Sequence, residues 1–272
     1  MIDEDLSLGS WQQGDFALEV GGFVFVARPD EDDLLEDADQ KLAVRETEDE
    51  IVGAVIVSQT CDIVRLRGTM DVVQICPLVS RSQAEQKEIA KGRRPSLAII
   101  GNSPPGTYAD LSRIMSVTKD LLISWQRHSG FDDAKSRLKF AAALERKFGR
   151  FAFPDDFNAS MVDFQKRVWS KHDKKSDLGA IYRSIRQIRF RSAPDWTAER
   201  KEIAIIAILE EPDAVEAERD TIKKELEAQI DKIEFSDGYR WSHPKFVLLS
   251  LSELNAQELL ESQPADFDFL SQ

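Results

Sequence analysis

A dense polar run, Ser58-Gln59-Thr60-Cys61-Asp62, follows an apolar stretch over 51–57 and is itself followed by Arg65 and Arg67. Side chains at a strand end are no longer committed to the ladder and become available to a ligand. Read for chemistry, Cys61 is a nucleophile or Asp62 a general base, with Arg65 and Arg67 holding an anion. A cysteine nucleophile needs a base or a positive neighbour to favour its thiolate, and Arg65 supplies the charge. Read structurally, Cys61 is a small buried residue and Asp62 caps a turn. His128, His172 and His243 have no histidine at i+4 and no cysteine in register. No metal site and no cofactor is therefore expected, and the three histidines read as polar surface or turn residues.

Further along, cations interleave with aromatic rings. Arg113 and Lys119 flank a short apolar run, and Arg137, Arg146, Lys147 and Arg150 lie along or beyond a helical segment, near Trp125, Phe148, Phe151 and Phe153. Such a pattern suits a groove for single-stranded nucleic acid, with cations on the backbone and rings under the bases. The competing arrangement keeps the rings in the core and the cations on a solvated face, and the helical period assigns Phe148 to the core. There is no G-x-x-x-x-G-K-[ST] loop, no glycine-rich dinucleotide fingerprint and no G-x-S-x-G elbow. Nucleotide-dependent and hydrolase chemistries thus lack their usual signatures.

The elements that must position these residues run β, then α, then α/β. Segments 16–20 and 23–27 read as two short strands around Gly21-Gly22, a dipeptide suited to a tight hairpin. The segment 30–50 carries eleven acids against Lys41 and Arg45. Like charges this dense repel, so it reads as a mobile loop between strands, or functionally as an arm covering a basic groove. The β-branched run 51–58 predicts a strand buried on both faces, and 71–79 a second. A short helix over 82–91 ended by Gly92, a strand over 97–100 and a turn over 102–106 follow.

Helices are predicted over 131–148, with Leu138, Ala141, Ala142 and Phe148 inward, and from Pro154 to about His172, with Phe157, Met161, Phe164 and Val168 on one face. A third covers 176–185. Strands at 188–190, 202–209 and 245–251 with helices over 212–230 and 252–261 give a small α/β sheet. The tail with Phe267, Phe269 and Leu270 is expected to lie on it.

The chain has 272 residues, 42% hydrophobic and 31% charged, enough for one or two cored domains. No apolar run approaches the roughly 18–20 residues of a membrane span, and two cysteines exclude a disulfide scaffold. The acidic N-terminus is unlike a secretory signal, so a cytoplasmic protein without a membrane partner is expected. The net charge of −13 hides three blocks: −13 over 1–80, +11 over 81–191 and −11 over 192–272. The central block suits a nucleic-acid surface, the inner partner of a charge match within the chain, or solvated helix faces.

Gly14-Asp15 opening the strand FALEV, the acidic insertion, GAVIVS ending in serine and VQICPLVSRS ending in a polar turn together resemble the MazF/PemK toxin-like barrels. The resemblance covers about 12–118, with ADLSRIMSV in place of the late strand. It implies a small curved SH3-type β-barrel and, where the site is intact, an endoribonuclease whose arginine and threonine handle the scissile phosphate. Here Ile51-Val52 stand where that arginine belongs and Val79 where the threonine does, with Ser80 and Arg81 next door.

The expected architecture is α+β: a toxin-like barrel over 1–118, a basic helical segment over 119–187 and a small α/β unit over 188–272. Two functions follow. In the first, the chain is a non-enzymatic interaction component of a bacterial stress or defence system, of toxin–antitoxin kind, holding a protein partner. In the second, it is an endoribonuclease or single-stranded RNA-binding protein, with Asp62, Arg65 and Ser80 at the phosphate and Arg113, Lys119, Arg146 and Arg150 along the strand.

Overall fold

The computed structural model describes residues 8–20, 23–27, 43–46, 51–65, 71–91 and 93–265. The chain divides into two units, Met1–Gly149 and Arg150–Gln272, where three blocks were expected. The first unit holds strands Phe16–Leu18 (β1), Val24–Ala27 (β2), Ala43–Glu46 (β3), Ile51–Ile56 (β4), Val72–Ser80 (β5), Leu97–Ala98 (β6), Thr107–Asp110 (β7) and Met115–Thr118 (β8). Its helices are Thr60–Val64 (α1), Gln83–Ala90 (α2), Lys119–Ser124 (α3) and Ala134–Phe148 (α4).

β4 lies antiparallel between β1 and β5, and the far edge of β5 takes β8 along 72–75 and β7 along 78–80. β4 is buried on both faces, as its β-branched run predicts, because alternate residues feed two cores. Ala54 and Ile56 join Ala17, Val73 and Ile75 in one, and Val55 joins Phe16, Cys76 and Leu78 in the other. Gly53 lets β1 approach, since a Cβ there would stand 2.1 Å from the Ala17 carbonyl oxygen.

Three expectations are corrected. The sheet formed by the described strands is open and not a closed barrel: no ladder joins β6 to β1, whose other edge meets a single bridge from Phe16 to His128. β6 is two residues long, too short to carry the sheet further round. The expected hairpin of 16–20 with 23–27 is not the pairing found: β1 pairs with β4, and β2 with β3. β3 lies within the acidic segment, where a loop was expected. The rest of that segment, Gly21-Gly22, Arg67, Gly92 and the tail with Phe267, Phe269 and Leu270 lie outside the described residues.

Finally, α4 is amphipathic, but its inward stripe is Phe140, Ala143 and Leu144. Leu138, two positions from Phe140 and so about 200° round the helix, faces water at 69% exposure. Phe148 overhangs the end of the core and is 60% exposed.

The second unit holds helices Asp155–His172 (α5) and Asp177–Arg183 (α6), strands Ile185–Ala193 (β9) and Lys201–Leu209 (β10), helix Arg219–Ile230 (α7), strand Tyr239–Leu249 (β11), helix Ala256–Glu261 (α8) and strand Ser262–Pro264 (β12). The sheet order is β11-β10-β9-β12, with β10 and β11 parallel and the other pairs antiparallel. A parallel pair needs a crossover, and α7 supplies it with Ile222, Leu226 and Ile230 buried. Phe157, Met161, Phe164 and Val168 form the predicted buried stripe of α5 and meet Phe190, Ile205 and Ala207 in one core. Burial of each such side chain contributes about 1.5–3 kcal/mol. No helix among the described residues is long and apolar enough to cross a membrane.

Candidate functional site

Pairing of β4 with β5 stops at Val57 and Ser58, whose amides both reach the Gln74 carbonyl, at 2.9 and 3.3 Å. Ser58 Oγ then accepts the Gln74 amide at 2.8 Å, so a side chain replaces the next rung. The chain turns at once into α1, with Gln59 at its N-cap and Ile63 buried in the core. Gln13 straps this turn: its Nε2 donates to the Val57 carbonyl at 2.8 Å and its amide to Thr60 Oγ1 at 3.2 Å.

Beside the turn lies a groove of about 510 Å³. Its polar lining is Gln13, Ser58, Gln59, Asp62, Gln74 and Ser116, and its apolar lining is Val57, Val72, Ile114, Leu144 and Phe148. The volume falls within the range of sites that take small ligands or partner side chains. Val72 and Phe148 are both well exposed, which leaves apolar surface in water at the mouth of a recess. Among the described residues Asp62 carries the one formal charge in the lining.

The polar run singled out in the sequence therefore does border a recess, though in a different arrangement from the one expected. Arg65 Nη1 stands 3.5 Å from Asp62 Oδ1, with the arginine side chain 59% exposed. Cys61 is exposed, against its structural expectation of burial, because the inward position of this single helical turn is Ile63. Its hydrogen-bond partners are acceptors, Gln59 Oε1 at 3.6 Å and Asp62 Oδ1 at 3.8 Å, the wrong neighbours for a nucleophilic thiolate. Cys76 is buried, and that burial, reinforced by the Asp110 charge, pushes its thiol up.

Ser80 is not part of this group. It ends β5 six residues beyond Gln74, roughly 20 Å along an extended strand. Its carbonyl accepts Arg81 Nη1 at 3.0 Å, and Arg81 Nη2 lies 3.7 Å from the nearly buried Asp110. Arg113 closes on the same carboxylate through Nε at 3.0 Å and Nη2 at 2.6 Å, while Ser112 donates its amide and hydroxyl to the other oxygen. Burial pushes the Asp110 pKa up, but the Ser112 bonds and then Arg113 outweigh it and hold the carboxyl below the usual range.

The remaining predicted nucleic-acid contacts disperse as well. Lys119 is 1% exposed and donates Nζ to the Arg65 carbonyl at 2.7 Å, a cation closing the C-terminal end of α1. Its exposed neighbours Thr118 and Asp120 gave no sign of this in the sequence. Arg146 sits in the last turn of α4 in the first unit, and Arg150 opens the second. Trp125 and Phe148 likewise belong to the first unit, while Phe151 and Phe153 pack on Trp196 in the second, with ring centroids 5.6 and 4.9 Å away. The interleaved cations and rings of the sequence thus belong to both units.

Sequence reasoning missed the role of Asp15. It is fully buried and accepts Arg127 Nε at 2.6 Å, the Gln12 amide at 2.9 Å and the Gly130 amide at 3.2 Å. Beside it Phe16 and His128 exchange both backbone bonds, and their rings stack at 5.2 Å, so His128 is a packed residue. His172 pairs with Asp173 at 3.1 Å, and His243 is exposed. Among the described residues no group of three or more His, Cys, Asp or Glu is placed to hold a metal ion. The chain matches no protein-family model, no curated protein and no solved structure.

Proposed function

We propose that this chain is a non-enzymatic interaction protein whose first unit takes a segment of a partner protein in the groove beside α1. The observation that carries the proposal is the lining: exposed Phe148 and Val72 beside neutral amides and hydroxyls, with one carboxylate and no cation among the described residues. A polypeptide satisfies such a lining, with apolar side chains on Phe148, Leu144 and Val72 and backbone polar groups on Gln13, Gln59 and Gln74. A nucleic-acid strand needs cations at its phosphates. Arg113 is closed on Asp110, Lys119 is spent on a carbonyl, and Arg65 is turned to Asp62. By sequence each unit is net acidic, −7 for the first and −6 for the second, since residues 1–80 and 192–272 outweigh the share of the basic block that each holds.

Against the catalytic grouping of Asp62, Arg65 and Ser80 stands the distance of Ser80 from the turn, and Cys61 has acceptors for neighbours. The setting in a bacterial stress or defence system is the expectation that the toxin-like resemblance supplies. A second reading, single-stranded RNA binding with or without cleavage, draws on one observation: exposed Phe148 is also a surface on which a base stacks.

Selection of a random-peptide display library on the purified protein tests the proposal. The expected result is a set of peptides with a shared pattern whose binding falls at least about tenfold in Phe148→Ala, a loss of roughly 1.4 kcal/mol, with the fold checked by circular dichroism. No groove-dependent peptide, together with salt-steep RNA binding and cleavage that vanish in Asp62→Ala and Arg65→Ala, overturns it.

A further inference from the structure

The groove selects among partner side chains by what its own polar atoms leave unmet. Gln13 spends its Nε2 on the Val57 carbonyl, which leaves Oε1 to accept. Gln59 Oε1 receives only a weak thiol donor at 3.6 Å, and Asp62 brings a carboxylate. The lining is therefore rich in acceptors and carries a single negative charge. Next to these acceptors stand Leu144 and the exposed ring of Phe148, a surface for an aliphatic stem or a planar cation.

One group already meets part of this demand from within the chain. Arg65 reaches Asp62 through one long contact of 3.5 Å while 59% exposed, the geometry of a weakly held surface pair. Its side chain is not in the groove lining, so it neutralises Asp62 from outside and leaves the recess open.

Resting on the reading of the groove as a partner site, we infer that the occupant is an arginine side chain of the partner segment. Its guanidinium meets Asp62 and the glutamine carbonyl oxygens, its stem lies along Leu144 and Phe148, and it displaces Arg65 from Asp62. Arginine is favoured over lysine because its planar fork presents five donors to several acceptors and stacks on a ring. Nucleobase amino groups are the competing donors, and the described lining holds no cation for the phosphates they bring.

The test is an NMR titration of the full chain with acetyl-Ala-Arg-Ala-amide and with its citrulline counterpart, which keeps the shape and loses the charge. The expected result is that the arginine peptide shifts the amides of Gln59, Asp62, Gln74 and Phe148, and that the citrulline peptide binds at least tenfold more weakly. Asp62→Asn is expected to weaken the arginine peptide at least tenfold, and Arg65→Gln to strengthen it severalfold by removing the internal competitor. Should Asp62→Asn fail to fold, the citrulline comparison and Arg65→Gln decide alone. Equal binding of the two peptides, or weaker binding in Arg65→Gln, overturns the inference. Display-selected peptides that bind the groove without a basic residue reject arginine while the partner reading stands. A labelled single-stranded RNA shifting these amides where no peptide does rejects both.

Discussion

Asp15 closes the first unit by accepting donors from Gln12, Arg127 and Gly130, so a strand and a loop more than a hundred residues apart share one fully buried carboxylate. Removing the carboxylate leaves the buried Gly130 amide without its acceptor, which costs about 1–3 kcal/mol, while Arg127 at 31% exposure can still meet water. Asp15→Ala is therefore expected to lower stability by about that amount in urea unfolding followed by tryptophan fluorescence, and a loss under about 1 kcal/mol contradicts this role. Asp110 gives a pH prediction. Its folded pKa lies below the ordinary carboxylate value near 3.9, so its stabilisation is complete above that pH and is lost as pH falls through the folded value. Acid unfolding of the wild type is expected to include this decline and Asp110→Asn to lack it; identical acid profiles contradict it. Neither role was legible in sequence. Gly14-Asp15 marks a strand start, but nothing local identifies Arg127 as its partner, and Lys119 sits among surface residues while donating to a carbonyl fifty-four positions away.

Elements were legible where one period dominated. The stripe Phe157, Met161, Phe164 and Val168 has helical spacing and is buried, and the run 51–58 has no polar break and forms a strand buried on both faces. Where two stripes compete, the period alone misleads. In α4 the sequence offers Leu138 and Phe148 or Phe140 and Leu144, and the core against Phe131 and Leu78 selects the second pair. Phe140→Ala is accordingly expected to cost about 3–5 kcal/mol and Leu138→Ala less than about 0.5 kcal/mol in chemical denaturation. The reverse order contradicts the assignment. Strand partners were the least legible feature: short strands at 16–18 and 24–27 look like a hairpin, yet each finds its ladder elsewhere, because pairing is decided by long-range packing. The candidate site was half legible for the same reason. Its polar turn stands in one stretch of sequence, while Gln13, Ile114 and the pair Leu144 and Phe148 come from three others.

At the scale of the whole molecule, the block of +11 that suggested a nucleic-acid surface is shared between the units, +6 over 81–149 in the first and +5 over 150–191 in the second. Each unit is acidic overall by sequence, and the recess that gathers the polar turn has a polar, partly aromatic lining whose charge among the described residues is the Asp62 carboxylate. Site-specific photocrosslinking in cells tests whether this recess holds a partner protein. Phe148 is replaced by p-benzoylphenylalanine, an aromatic side chain suited to its exposed position, with Leu138 as the control, ten residues and about 15 Å away on the same helix. A discrete protein adduct is expected from position 148 and none from position 138. An adduct to RNA, or the same adducts from both positions, would contradict it.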